Sequence, residues 1–314
     1  MGATMEFDMR RLEGVFTALV TPFRNGKVDV AAFEALVERQ IAAGVAGLVP
    51  AGTTGEAATL RQDEIDDIVA RTVRLARGRA MVIAGVGTND TRTTIEKARH
   101  AQAAGAEGLL VVTPYYNRPS QAGLLQHYEA VAEATDLPIV LYSVPGRCGV
   151  EIAPETCATL RERHGNIAAI KEAGGSVERV TRIRRRCGGD FAIHSGDDAL
   201  TLAFLAAGAV GVTSVVSNVA PEGTVALLRA WQAGDVIEAL ALHERLAELT
   251  EMLFVEPNPV PAKAALALEG HAAAELRLPL TEMEPANLDR LAAAMHRYRR
   301  TEAIPASDRV TMTT

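Results

Sequence analysis

Lysine is scarce in this chain. Of its 32 basic residues only four are lysines, namely Lys27, Lys97, Lys171 and Lys263. Arginine therefore carries the ordinary surface positive charge, and arginine cannot give up its proton. Cysteine is scarcer still, with Cys148, Cys157 and Cys187 alone. An odd count with no C-x-x-C pair excludes a disulfide framework or a thiolate metal knuckle, and fits a reducing cytoplasm. The seven histidines show no ligand spacing, so no metal site is expected. No apolar run approaches the length that crosses a bilayer. The first 14 residues mix charge into every turn and lack an apolar signal core. Gly2 is followed by Glu6 where myristoylation wants Ser or Thr. A concentrated basic surface is also missing. The net charge is −7 and the pI near 5.6, which argues against a nucleic-acid partner. The one dense basic stretch, Arg182–Arg186, reads as the solvated face of a helix.

What is present is ordinary globular composition. Hydrophobic residues make up 48% and charged residues 23%, so the chain is not disordered. Its 314 residues suffice for one large domain with an appendage, or for two domains. Short β-rich runs alternate with longer helical ones. The spacing predicts strands at Val15–Val20, Gly47–Val49, Ala80–Val86, Gly108–Val112, Ile139–Tyr142, Ile167–Lys171, Phe191–Ser195 and Gly211–Val216. Helical periodicity follows each of them, over Val30–Ala43, Gln62–Ala76, Thr91–Ala104, Gln121–Ala134, Pro154–Glu162, Val177–Arg186, Asp198–Ala207 and Pro221–Trp231. Pro154 and Pro221 sit where a first helical turn tolerates proline. Gly44, Gly105 and Gly208 sit where helices end.

Eight strand–helix units in about 220 residues is the arithmetic of a (β/α)8 TIM barrel. The strands are nearly unbroken Val, Ile, Leu and Ala, as parallel strands covered on both faces should be. The competing architecture is a doubly wound open sheet. It favours a glycine fingerprint after an early strand, and Gly85-Val86-Gly87 lacks the rest of G-x-G-x-x-G. The expected organisation is a lead over residues 1–13, a barrel over 14–232, a small C-terminal helical region over 233–303 and a tail over 304–314. In the helical region Val236–Leu253 and Leu288–Arg299 read as helices. Pro257, Pro259, Pro261 and Pro279 break the stretch between them.

Chemistry in such a barrel sits at the C-terminal ends of the strands. The first strand ends in Thr21-Pro22 and the second in Gly52-Thr53-Thr54-Gly55-Glu56. The fourth ends in Thr113-Pro114-Tyr115-Tyr116-Asn117-Arg118-Pro119, and the fifth in Tyr142-Ser143-Val144-Pro145-Gly146-Arg147. The sixth ends in Lys171-Glu172, and the seventh in Ser195-Gly196-Asp197-Asp198. Three of the five tyrosines in the chain therefore share one rim with two threonines, an arginine and a lysine. Singly, each has a bland reading: a packed ring, a capped turn, a charge marking a strand end. Together they point to a site around Lys171.

A neutral lysine amine can attack a keto carbon and form an imine, which then acts as an electron sink. In water a lysine amine is protonated below about pH 10.4, and burial is the means of making it neutral nearer pH 7. A phenol beside the imine can move protons to and from the carbinolamine. The hydroxyls of Thr53 and Thr54 can hold a carboxylate, and Arg147 can grip a second one through paired hydrogen bonds.

These motifs, in this order, resemble the pyruvate-dependent class I lyases of the dihydrodipicolinate synthase / N-acetylneuraminate lyase family. So does Val255-Glu256-Pro257-Asn258-Pro259-Val260-Pro261-Ala262-Lys263. The likeness runs from about Gly14 to beyond Leu280. It implies condensation of pyruvate with L-aspartate 4-semialdehyde in lysine and diaminopimelate biosynthesis, with no metal or nucleotide cofactor. It implies that Lys171 forms the pyruvate Schiff base and that Tyr142 gives and takes the proton. Thr53 and Tyr116 would complete a hydroxyl relay, with Tyr116 reaching in from a neighbouring subunit. Thr54 would bind the pyruvate carboxylate and Arg147 that of the semialdehyde. Gly196 and Thr213 would also touch substrate, although isoleucine or valine is more usual in place of Thr213. The partners implied are the two substrates and further copies of the chain, as a tetramer built from two dimers, in the cytoplasm, with no nucleic acid and no membrane.

The chain departs from the family pattern in strand five, where Ser143 replaces an asparagine and Cys148 a threonine. That leaves imine formation intact and bears on the choice of second substrate. A 2-keto-3-deoxy acid or a hydroxyproline-derived compound is the alternative substrate, and a non-catalytic barrel the remote one. Members inhibited by lysine tend to carry a titratable group and a glutamate where this chain has Ile65 and Thr93, so weak or absent inhibition is expected.

Overall fold

The computed structural model describes residues 8–302. The expected tail, Gly2, Glu6 and most of the N-terminal lead lie outside the described residues. Eight parallel strands close on themselves. They are β1 (Gly14–Ala18), β2 (Gly47–Val49), β3 (Met81–Gly85), β4 (Gly108–Val112), β5 (Ile139–Ser143), β6 (Ile167–Glu172), β7 (Ala192–Ser195) and β8 (Gly211–Ser214). Each pairs with the next, and β8 returns to β1 through Val15 opposite Val212. The helices between them are α1 (Val30–Ala43), α2 (Gln62–Ala76), α3 (Thr91–Ala103), α4 (Gln121–Ala132), α5 (Pro154–Arg163), α6 (Val177–Cys187), α7 (Thr201–Ala206) and α8 (Pro221–Gln232). A two-stranded ribbon, Phe23–Arg24 against Lys27–Val28, and a short helix, Pro145–Cys148, lie outside the alternation.

Alternation along each strand separates two apolar layers. Phe16, Val49, Met81, Ile83, Leu110, Val140 and Ala168 fill the barrel interior. Val15, Leu48, Val82, Leu109, Leu141, Ile170 and Val212 face the helices in the larger outer core. Gly47 makes room for this filling: a Cβ there would fall 2.1 Å from the Phe16 ring. The turn Met9–Leu12 closes the N-terminal end of the barrel, and Leu12 is wholly buried in the inner layer. Helix starts follow local chemistry. Asp29, Asp90 and Ser120 accept hydrogen bonds from the backbone N–H of Ala32, Thr93 and Gly123. Gly44, left-handed at φ 82°, ends α1.

Several elements differ from the sequence reading, each for a polar reason. Strand β1 stops at Ala18 instead of Val20, because Asn218 takes over the backbone pairing there. Its Nδ2 donates to the Ala18 carbonyl and its Oδ1 accepts from the N–H of Val20. Strand β8 stops at Ser214 instead of Val216, because the N–H groups of Val215 and Val216 turn to the Asp198 carboxylate. The expected helix Asp198–Ala207 is a 3-10 turn, Asp198–Leu200, followed by α7.

Beyond the barrel, α9 (Val236–Leu253) packs on α8 and on α11 (Pro285–Glu302). The proline-rich stretch between them holds a helix that the prolines had argued against, α10 (Val260–Leu268). Pro261 falls in its first turn, where a missing N–H costs no helical bond. Residues Val260 to Leu266 are all buried, so tertiary packing supports this helix on every side. No helix among the described residues is long and apolar enough to cross a membrane.

Candidate active site

Lys171 lies one residue before the end of β6, between Tyr142 of β5 and His194 of β7 in the sheet register. Side chains alternate across the pleat, so Ile170 and Glu172 point outward and Lys171 points into the barrel. The outward Glu172 is fully buried and bonded to Arg179 at 3.0 Å, so it is not a partner for the lysine. The Lys171 amine is buried and lies 4.5 Å from the centroid of the Tyr142 ring. Gly196 preserves the space around it: a Cβ there would come within 3.1 Å of Lys171 Cε.

Lys171 opens onto a cavity of about 570 Å³, lined also by Thr54, Tyr142, Arg147, Gly196 and Asn258. A second cavity of about 480 Å³ shares Tyr142, Arg147 and Asn258, and contains Thr53 and Tyr115. Thr54 is buried and its Oγ1 accepts a hydrogen bond of 2.9 Å from Asn258 Nδ2. That leaves the threonine proton free to donate to an anion. Arg147 projects from the short helix Pro145–Cys148, and its Nη2 donates to the Asn258 carbonyl at 3.3 Å. The arrangement offers a buried amine, a phenol beside it, and two separate anion grips.

Five of the expected site residues, Lys171, Tyr142, Thr54, Arg147 and Gly196, line one cavity, and Thr53 lines its neighbour. Thr213 lines neither. It is buried on β8 with its Oγ1 3.0 Å from His194 Nδ1. His194 Nε2 donates to the Leu12 carbonyl at 2.5 Å, so Nδ1 is the acceptor and the Thr213 hydroxyl the donor. Burial lowers the His194 pKa to about 4, and the nearby Lys171 pushes the same way. A neutral imidazole therefore stands beside the lysine. Tyr116 does not join the site within one chain. Its ring is 91% exposed and its backbone is left-handed at φ 71°.

Ser143 faces away from the cavity and its Oγ accepts from the Ile152 N–H at 3.3 Å. Cys148 lines the second cavity, and burial raises its thiol pKa. Asp198 is buried, its pKa raised by desolvation, and it binds Ser214 and the Val215 and Val216 N–H groups. The sequence reading missed two residues of this site, Asn258 and His194. Asn258 lay within a recognised proline-rich motif, and no local pattern distinguishes His194. Among the described residues no cluster of His, Cys, Asp and Glu could hold a metal ion.

The sequence pattern of the "Dihydrodipicolinate synthetase family" matches residues 11–297. A 4-hydroxy-tetrahydrodipicolinate synthase of Sorangium cellulosum (strain So ce56) is 52% identical over 288 residues, spanning 91% of this chain and 96% of that protein. One from Nitratidesulfovibrio vulgaris (strain DSM 19637 / Miyazaki F) is 46% identical over 90% of this chain and 96% of its own. The solved structure of the 4-hydroxy-tetrahydrodipicolinate synthase from Methylacidiphilum fumariolicum SolV superposes with a TM-score of 0.91. It is 47% identical and covers 93% of this chain and 97% of that one.

Proposed function

The chain belongs to the dihydrodipicolinate synthetase family, and from that premise we propose how its residues carry the family's chemistry. It is a lyase that condenses pyruvate with L-aspartate 4-semialdehyde to give 4-hydroxy-tetrahydrodipicolinate, in lysine and diaminopimelate biosynthesis. The observation that carries the residue assignment is the buried Lys171 amine against the Tyr142 ring, in a cavity that also holds Thr54 and Arg147.

The Lys171 amine adds to C2 of pyruvate, and Tyr142 returns a proton to the departing hydroxyl, so that water leaves and an imine remains. Thr54 holds the pyruvate carboxylate. Loss of a C3 proton gives the enamine, whose carbon attacks the aldehyde of the second substrate. Arg147 holds that substrate's carboxylate. The semialdehyde's own amine then displaces Lys171 from C2, closing the ring and freeing the enzyme. Thr53 and Tyr116 relay the protons, with Tyr116 supplied by a neighbouring subunit; Gly196 shapes the pyruvate pocket, and Thr213 acts behind it by holding His194. No metal or nucleotide is required by these steps. The working assembly is a tetramer of two dimers in the cytoplasm. A 2-keto-3-deoxy acid substrate is not favoured, since similar proteins carry the synthase name.

Borohydride reduction in the presence of pyruvate tests the assignment. The protein gains the mass of a reduced pyruvate adduct on Lys171, and Lys171→Ala gains none and loses turnover in an assay coupled to the next reductase. Labelling at another residue, or turnover retained in K171A, would overturn it.

A further inference from the structure

Glu56 and Lys263 form an ion pair at 2.5 Å with both side chains only 1% exposed, although 207 residues separate them in sequence. Neither has a part in the chemistry above. Glu56 closes the loop that carries Thr53 and Thr54, two residues beyond the latter. Lys263 comes from α10, outside the barrel. The second carboxylate oxygen of Glu56 accepts from the Arg277 backbone N–H at 3.1 Å. The Lys263 amine and the Arg277 guanidinium lie 4.1 and 4.3 Å from the centroid of the Phe23 ring. Arg277 also grips Glu64, at the start of α2, through two hydrogen bonds of 2.8 and 2.6 Å. The C-terminal region thus holds both the loop and the helix that follows it.

The loop needs holding. Ala51 and Glu56, at its two ends, both have left-handed backbones at φ 55°. Residues with a Cβ disfavour that conformation. Among the described residues the Thr54 side chain is bonded to Asn258, from the same C-terminal stretch as Lys263. We infer that the Glu56–Lys263 pair is a positioning device that sets Thr54 at the distance a pyruvate carboxylate requires. The inference rests on the assignment of Thr54 above. The pair acts at ground-state binding of the first substrate, through the shape of one loop, and touches no reacting atom.

A double-mutant cycle between Lys263→Met and Thr54→Ala separates this role from simple stabilisation. The readouts are the pyruvate concentration that half-saturates borohydride labelling, KM for pyruvate, kcat and the thermal midpoint. In K263M the half-saturating pyruvate concentration rises about tenfold while kcat falls less, as a loop displaced by a fraction of an ångström implies. On the T54A background the same change adds no further loss. E56Q/K263M leaves no unpaired buried charge, and it recovers the thermal midpoint without recovering pyruvate affinity. Equal losses on both backgrounds, or parental pyruvate affinity in E56Q/K263M, would overturn the inference. If K263M does not fold, Lys263→Arg enters the same cycle, since it keeps the charge and changes the geometry. Parent protein that is not labelled at all would instead overturn the site assignment itself.

Discussion

His194 and Tyr142 flank Lys171 from either side of the sheet, and each has a measurable consequence. His194 is buried and held neutral, with a pKa of about 4 against 6.5 for a free imidazole. His127, on α4, is lowered to about 4 for the same reason, burial. Between those pH values the unfolded chain binds a proton that the native chain refuses. The stability each group lends is therefore complete above pH 6.5 and is lost as the pH falls towards 4. From pH 7 to pH 5 one such histidine removes about 2 kcal/mol. Urea unfolding at the two pH values should show this loss, and His194→Leu should flatten the dependence. An unchanged slope in H194L would contradict the burial argument. Tyr142→Phe keeps the packed ring and removes only the phenol. Its kcat should fall by about 10²–10⁴-fold, with a thermal midpoint close to that of the parent. At this scale the sequence was informative about Lys171, since a rare residue type ends an apolar run. It was silent about His194, because a buried histidine leaves no periodic trace.

The α2 and α3 helices carry Ile65 and Thr93. Ile65 is buried in the outer core, and the Thr93 hydroxyl donates to the Asp90 carboxylate that caps α3. Neither side chain offers a negative charge to an ammonium group. Initial rates should therefore be nearly unaffected by millimolar lysine, and a submillimolar inhibition constant would contradict this. Element boundaries show where local pattern yields to tertiary partners. Strands β1 and β8 were read too long because Asn218 and Asp198, distant in sequence, capture their last backbone groups. Helix α10 was hidden by its prolines, and burial on all sides sustains it. The loop from Ala51 to Glu56 carries two left-handed residues, each costing about 1–2 kcal/mol. Removing one partner of the buried Glu56–Lys263 pair costs about 3–5 kcal/mol. Most of that loss is the penalty of leaving the other charge buried and unpaired.

Closure of the sheet governs the molecule as a whole. A barrel has no edge strands, so every backbone group of the eight strands can pair and every strand can deliver one residue to the same rim. Tyr116 is the exception, since it leaves that rim and stands 91% exposed. A left-handed backbone at a residue with a Cβ is costly and persists where the surroundings or the function hold it. Specific activity should therefore fall on dilution in step with dissociation measured by sedimentation. Tyr116→Phe should lower kcat without changing the assembly. A dissociated chain with full activity would remove Tyr116 from the relay.

The eight apolar runs, their spacing and the polar residue at each run's end are local properties. The sequence alone thus determined the barrel, the rim and the candidate lysine. Whether Asn258 meets Thr54, whether Lys263 meets Glu56, and which way Tyr116 turns were decided only by the tertiary structure. Those contacts join residues some 200 positions apart or depend on a single backbone angle. Hydrophobic period encodes which face of an element is buried, and it carries no record of which distant side chain will lie against that face.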